Sequence, residues 1–182
     1  MKPIVKVKNL EKSFQNKKAV DGLSFELNEG EILGLLGPNG AGKSTTINIL
    51  STILAPDKGE VTFFGRRLSE DSNLIKNWIG IVPQEIAIFE DISTEKNVRF
   101  FGGLYGLEKS KLNENVKEAL ELVGLYDKKD ELPKTFSGGM KRRLNIACAL
   151  VHQPRVLIMD EPTVGIDPQS RNHILESIKL LL

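Results

Sequence analysis

Cysteine is nearly absent: Cys148 is the single one in 182 residues. That excludes an intramolecular disulfide and any zinc site built from several thiolates. Neither sign of charge dominates, with 25 Lys and Arg against 24 Asp and Glu, so no overall basic excess points to nucleic acid. No apolar run approaches the length that crosses a bilayer, and the N-terminal residues lack the apolar stretch of a secretion signal. Internal repeats and low-complexity linkers are also missing. These absences predict a soluble chain made in the cytosol, whose membrane association would come through a partner.

What is present is an alternation of strand and helix patterns. Residues 5–8 and 24–27 alternate apolar and polar, as half-buried strands do. Residues 32–36 form a continuous apolar run, which predicts a strand buried on both faces of a parallel sheet. A Gly-rich loop follows, then a helix with Ile47, Leu50, Ile53 and Leu54 on one side, stopped by Pro56. Residues 61–64 and 79–82 are further strands. Between 85 and 150 the pattern is helical. Leu112, Val116, Ala119, Leu120 and Val123 make one stripe, with Ser110 as N-cap and Gly124 as C-terminal stop. Met140, Leu144, Ala147 and Val151 make a second, and Cys148 beside them reads as a small packed residue. Residues 156–159 return to a strand, and 171–182 read as a helix. A helical block therefore interrupts an α/β core.

The segment Gly37, Pro38, Asn39, Gly40, Ala41, Gly42, Lys43, Ser44 matches the phosphate-binding pattern G-x-x-x-x-G-K-[ST]. Glycines there let backbone N–H groups wrap phosphates without Cβ clashes. Lys43 would bring a cation to the β and γ phosphates, and the Ser44 hydroxyl is a ligand for Mg²⁺. The helix that opens here, with Thr45 in its first turn, adds its positive end. Residues 156–161 end an apolar strand in Asp160 and Glu161. That is where P-loop proteins hold the Asp that orients Mg²⁺, and Glu161 is placed to polarise a water. Phe136, Ser137, Gly138 and Gly139 open a further helix on bare backbone, a second anion-binding helix start. One nucleotide does not need two cradles, but a chain that completes a neighbour's site does.

With these motifs in order, the sequence resembles the ABC ATPases over nearly its whole length. The loop at 37–44 resembles their Walker A, Asp160 and Glu161 their Walker B with its catalytic glutamate, and Gln84 after Pro83 their Q-loop. Residues 136–143 resemble their signature, and Gly165, Ile166 and Asp167 their D-loop. Phe14 lies where the family keeps an aromatic that stacks on adenine, although a packing aromatic is an open alternative. The resemblance implies a P-loop NTPase (RecA-like) α/β core with an N-terminal antiparallel β subdomain and an inserted helical subdomain. The expected division is 1–84 for the β subdomain and first part of the core, 85–150 for the helical signature subdomain, and 151–182 for the return to the core.

It also implies ATP and Mg²⁺ as cofactors, with Ser44, Gln84 and Asp160 as metal-shell residues and Glu161, Lys43 and Gln84 as catalytic ones. Two such domains would sandwich two ATPs head to tail, so that Ser137, Gly138 and Gly139 contact γ-phosphate in trans. The implied partners are transmembrane permease subunits and a second ATPase domain, with the chain peripheral on the cytoplasmic face of the membrane.

Two features depart from the family pattern. The commonest signature is Leu-Ser-Gly-Gly-Gln, whereas Phe136 and Met140 flank Ser-Gly-Gly here; Met140, Lys141, Arg142 and Arg143 resemble a subset of exporters. The family's switch histidine lies one strand beyond the D-loop, so a C-terminally truncated ATPase domain is expected, and neither His152 nor His173 fits that role. Lys141, Arg142 and Arg143 read as a solvated basic face in preference to a nucleic-acid contact. Residues 86–101 read either as core or as a groove for a partner's helix. The leading expectation is an ATPase subunit powering an exporter. The alternatives are a non-transport ABC ATPase acting on nucleic acid, ribosome or another machine, and a regulatory nucleotide-binding module, against which Glu161 counts.

Overall fold

The structure, a computed structural model, describes residues 3–15, 17–162 and 166–179. The chain divides into two compact units, one up to Lys76 and one from Asn77 on.

In the first unit, β1 (Val5–Phe14) and β2 (Lys17–Leu27) form a long antiparallel hairpin. Strands β3 (Lys58–Phe63) and β4 (Arg66–Arg67) extend it to the order β2-β1-β3-β4. Alternation sends Val5 and Val7 inward, and Leu10 joins them although its parity is opposite. Asn9, at φ 46, absorbs one residue in a register shift between Val7 and Leu10, which keeps the apolar side on one face. Phe63, Leu10, Ile49 and Ile75 are fully buried there, each worth about 1.5–3 kcal/mol of transfer free energy. Helix α1 (Lys43–Leu50) supplies Ile49, and α2 (Leu68–Lys76) supplies Ile75.

Two expectations for this unit are corrected. Helix α1 ends at Leu50, before the Ile53 expected on its apolar side. Thr52 turns left-handed at φ 64, the amides of Ile53 and Leu54 close back on the Asn48 carbonyl, and Ile53 is exposed. Residues 32–36 form no strand, and Ile32, Leu33 and Leu36 are exposed. A strand apolar on both faces needs sheet neighbours on both edges and cover on both sides, and the antiparallel sheet of this unit supplies neither.

In the second unit, β5 (Ile79–Val82) and β6 (Val156–Met159) pair in parallel, Ile79 opposite Val156 and Val82 opposite Met159. Parallel neighbours need a long crossover. Here it holds α3 (Thr94–Leu104), α4 (Lys109–Leu122) and α5 (Gly138–Leu150), followed after β6 by α6 (Pro168–Lys179). Their apolar faces enclose a core of Val82, Val98, Leu120, Leu144, Ile146, Val151 and Ile174. Residues 180–182, expected to continue the last helix, lie outside the described residues. The cap of α4 is Glu108, which offers no side-chain bond, and Ser110 lies inside the helix. Gly124, at φ 63, does stop α4, with the Leu125 amide closing on the Leu120 carbonyl at 2.8 Å. Cys148 is packed in the core, and burial pushes its thiol pKa far up. Buried Asn97 accepts from the Phe89 amide and donates to the carbonyls of Phe89, Ile92 and Ser93, which pins the segment after β5 to α3.

Candidate nucleotide site

The loop of the first unit owes its shape to two glycines. Gly40 and Gly42 sit at φ 82 and φ 85, a region that strains any residue with a Cβ. At Gly42 a Cβ would also run into the Ala19 carbonyl oxygen of β2. Gly42 caps α1, its carbonyl receiving the Thr46 amide and hydroxyl, each at 2.9 Å. The Lys43 ammonium folds back over the loop and donates to the carbonyls of Gly37 at 2.7 Å and Pro38 at 3.0 Å. A cation held on two carbonyls at the mouth of a helix N-terminus is poised to exchange them for anionic oxygens. Ser44 is exposed beside it. A cleft of about 350 Å³ borders the loop, lined by Lys18, Ala19, Val20, Asp21 and Leu23 of β2 with Gly40, Ala41 and Thr46. Phe14 is half exposed at the end of β1, outside that lining, with the Lys12 ammonium 5.8 Å from its ring centre.

In the second unit the parallel pair delivers two loops side by side. The Asp160 amide donates to the Val82 carbonyl at 3.0 Å, extending the β5–β6 ladder. That sets Gln84, after β5, next to Glu161, after β6. The Gln84 carboxamide donates to the Glu161 carboxylate at 3.1 Å. Glu161 itself adopts a left-handed backbone at φ 46, strained for a residue with a side chain.

Arg142, on the buried side of α5, is 3% exposed and holds both loops. Its Nη1 donates to the carbonyls of Pro83 and Gln84, its Nη2 to those of Asp160 and Glu161, and its Nε to that of Pro162. Burial lowers the pKa of this guanidinium and the Asp160 charge opposes the shift, but arginine stays protonated in proteins.

The solvated basic face expected at 141–143 is thereby corrected. Lys141 pairs with Glu90 at 2.6 Å, and Arg143 donates to the carbonyls of Val123 and Gly124 at the end of α4. All three cations serve the fold. Arg142 is the residue that sequence reasoning missed, although a signal existed: it shares helical register with Gly139, Ile146 and Ala149, all buried.

Ser137 caps α5, accepting from the Met140 amide at 3.2 Å, while Ser137 and Gly138 are exposed and Gly139 is buried. A Cβ at Gly138 would meet open space, so its backbone is bare to an approaching group. Asp167 is exposed just before α6, whereas Gly165 of the expected D-loop lies outside the described residues, as does the side chain of His173. Of residues 86–101, Phe101 packs against the core while Ile86, Phe89 and Phe100 stand exposed.

The family model for the ABC transporter matches residues 20–164. Linearmycin resistance ATP-binding protein LnrL of Bacillus subtilis is 49% identical over 98% of this chain and 57% of that protein. Nod factor export ATP-binding protein I of Rhizobium sp. is 41% identical over 100% of this chain and 60% of its own length. Daunorubicin/doxorubicin resistance ATP-binding protein DrrA of Streptomyces peucetius is 38% identical over 98% of this chain and 54% of its own. The chain thus spans under two thirds of these relatives. Among solved structures, cbiO1 from Clostridium perfringens, part of the ABC transporter complex cbiONQ, superposes with a TM-score of 0.88 at 31% identity, covering 98% of this chain and 73% of that one. An ATP-binding subunit of an ABC transporter gives 0.84 at 28% identity, covering 98% and 74%. The chain belongs to the ABC transporter ATP-binding family. Its fold is the α/β fold of the P-loop NTPases.

Proposed function

We propose that this chain binds and hydrolyses ATP to drive an ABC exporter. The observation that carries the reading is the Gln84–Glu161 hydrogen bond at the end of the parallel strand pair, a carboxylate held in place beside Asp160. The loop of residues 37–44 fits a polyphosphate: its glycines keep the backbone open, and Lys43 donates to loop carbonyls that phosphate oxygens can replace. Ser44 and Asp160, with Gln84, are the residues that would hold Mg²⁺. Mg²⁺ is commonly held by one or two carboxylates together with substrate phosphates and waters, and Asp160 is the carboxylate of this set. When bound, Mg²⁺ would neutralise charge on the phosphate oxygens.

Lys43 and the amides from Gly40 to Thr45 hold the β and γ phosphates, with the α1 N-terminus aiding. Glu161 accepts a proton from water as its oxygen bonds to the γ-phosphorus and the bond to the bridging oxygen breaks. Gln84 orients that carboxylate and the attacking water. Phe14 stacks on adenine at the exposed end of β1. The bare start of α5 at Ser137, Gly138 and Gly139 meets the γ-phosphate of a second ATPase domain, with Asp167 near that junction, so transition-state charge is stabilised partly in trans. No described helix is long and apolar enough to cross a membrane; permease subunits supply the span, and the chain works on their cytoplasmic face. The division 1–84, 85–150 and 151–182 follows these roles.

Export is favoured by the resistance and export names of the relatives and by the Met140–Arg143 form of the signature. The test is a calorimetric ATP titration. Lys43→Ala should lose most of the affinity, on the order of a hundredfold, because a charge-assisted phosphate contact is gone. Parental affinity in that variant would overturn the reading.

A further inference from the structure

A guanidinium carries five N–H donors in a fixed planar fork. In Arg142 each has its own carbonyl: Pro83 and Gln84 on Nη1, Asp160 and Glu161 on Nη2, Pro162 on Nε. The two carbonyls on Nη1 belong to the loop after β5, and the other three to the loop after β6. One rigid plane therefore spans both loops. It also grips the carbonyls of Asp160 and Glu161, which lie on the two peptide units flanking the strained Glu161 Cα at φ 46. Strain of this kind persists only where the surroundings over-determine it.

We infer that Arg142 is a positioning residue for hydrolysis: it fixes the Gln84 loop against the Asp160–Glu161 loop and holds Glu161 in the conformation that presents its carboxylate to Gln84. The inference rests on the proposed ATPase function. Arg142 touches no substrate; it acts through the backbone of residues that do. Lysine cannot replace it. An ammonium has three donors radiating from one point, so at least two of the five carbonyls lose their partner and the planar bridge is gone. The geometry separates two effects. Phosphate binding at Lys43 makes no use of the fork, so affinity should stand while the chemical step fails.

The experiment measures ATP turnover and ATP affinity on the protein as its gene encodes it, for the parental form, Arg142→Lys and Arg142→Gln. Hydrogen exchange is followed in parallel. We expect kcat to fall about tenfold or more in both variants with the ATP Kd within about twofold. Amide exchange should rise at 83–85 and 160–162 together, with α3 and α4 still protected. A parental kcat in either variant would overturn the inference, and so would a Kd that rises in step with the loss of kcat. Exchange that rises evenly over all the helices would reduce Arg142 to a stability role and overturn it equally. Lys43→Ala runs as a control: if it leaves ATP binding intact, the ATPase reading itself fails, whatever Arg142 does.

Discussion

The Gln84 carboxamide donates to the Glu161 carboxylate at 3.1 Å, joining residues 77 positions apart. A neutral donor orients the carboxylate without adding charge. Gln84→Glu would set two carboxylates together and raise the pKa of the pair, since neighbouring like charges resist ionisation. The base would then stay protonated to higher pH. The acid limb of kcat against pH should shift upward in Gln84→Glu, while Gln84→Ala lowers kcat about tenfold and leaves the limb in place. An unmoved limb in Gln84→Glu would count against Glu161 as base.

Gly40 and Gly42 share the same backbone region but not the same surroundings. At Gly40, φ 82, a Cβ meets nothing within 4 Å, while at Gly42 it strikes the Ala19 carbonyl. Gly40→Ala should cost only the left-handed conformation, about 1–2 kcal/mol. Gly42→Ala should cost more and displace the loop from β2, with weaker ATP binding. Denaturant midpoints for the two variants check this; equal midpoints would contradict the close approach.

His152 stacks on Tyr105 with ring centres 3.6 Å apart and planes 3° from parallel. Its Nε2 bonds the Ile79 carbonyl at 3.1 Å, and its Nδ1 is buried without a partner among the described residues. Burial lowers the imidazole pKa, with the Ile79 carbonyl opposing in smaller measure. The folded state therefore binds fewer protons than the unfolded one. Its contribution to stability is full above the unfolded value of 6.5 and is lost as pH falls below it toward the folded pKa. His152→Phe keeps a ring against Tyr105 and removes the titration. Its unfolding midpoint should fall less than the parental one between about pH 7.5 and 5.5; parallel losses would assign the acid sensitivity elsewhere.

Much of the arrangement was legible because local rules and tertiary packing agree. Gly124 ends α4 since only a residue at ease with positive φ closes that turn. Residues 79–82 and 156–159 read as strands because their apolar runs are short and continuous. Asp160 and Glu161 follow from the end of such a strand. The misses have physical causes too. Residues 32–36 look like a doubly buried strand, but a strand is defined by its neighbours, and pattern alone does not supply them. Three cations in one helical turn predict a solvated face, but the register Arg142 shares with Gly139, Ile146 and Ala149 places it inside. The fork of five carbonyls that justifies its burial comes from two loops distant in sequence, so no local pattern encodes it.

The most direct measurement compares Glu161→Gln with the parental protein for Mg²⁺-dependent phosphate release and for ATP affinity. The amide keeps the shape and the Gln84 contact region but cannot accept a proton from water. The account predicts ATP affinity within about twofold of the parent and turnover reduced by at least about a hundredfold. Phosphate release at the parental rate would show that Glu161 is not the base.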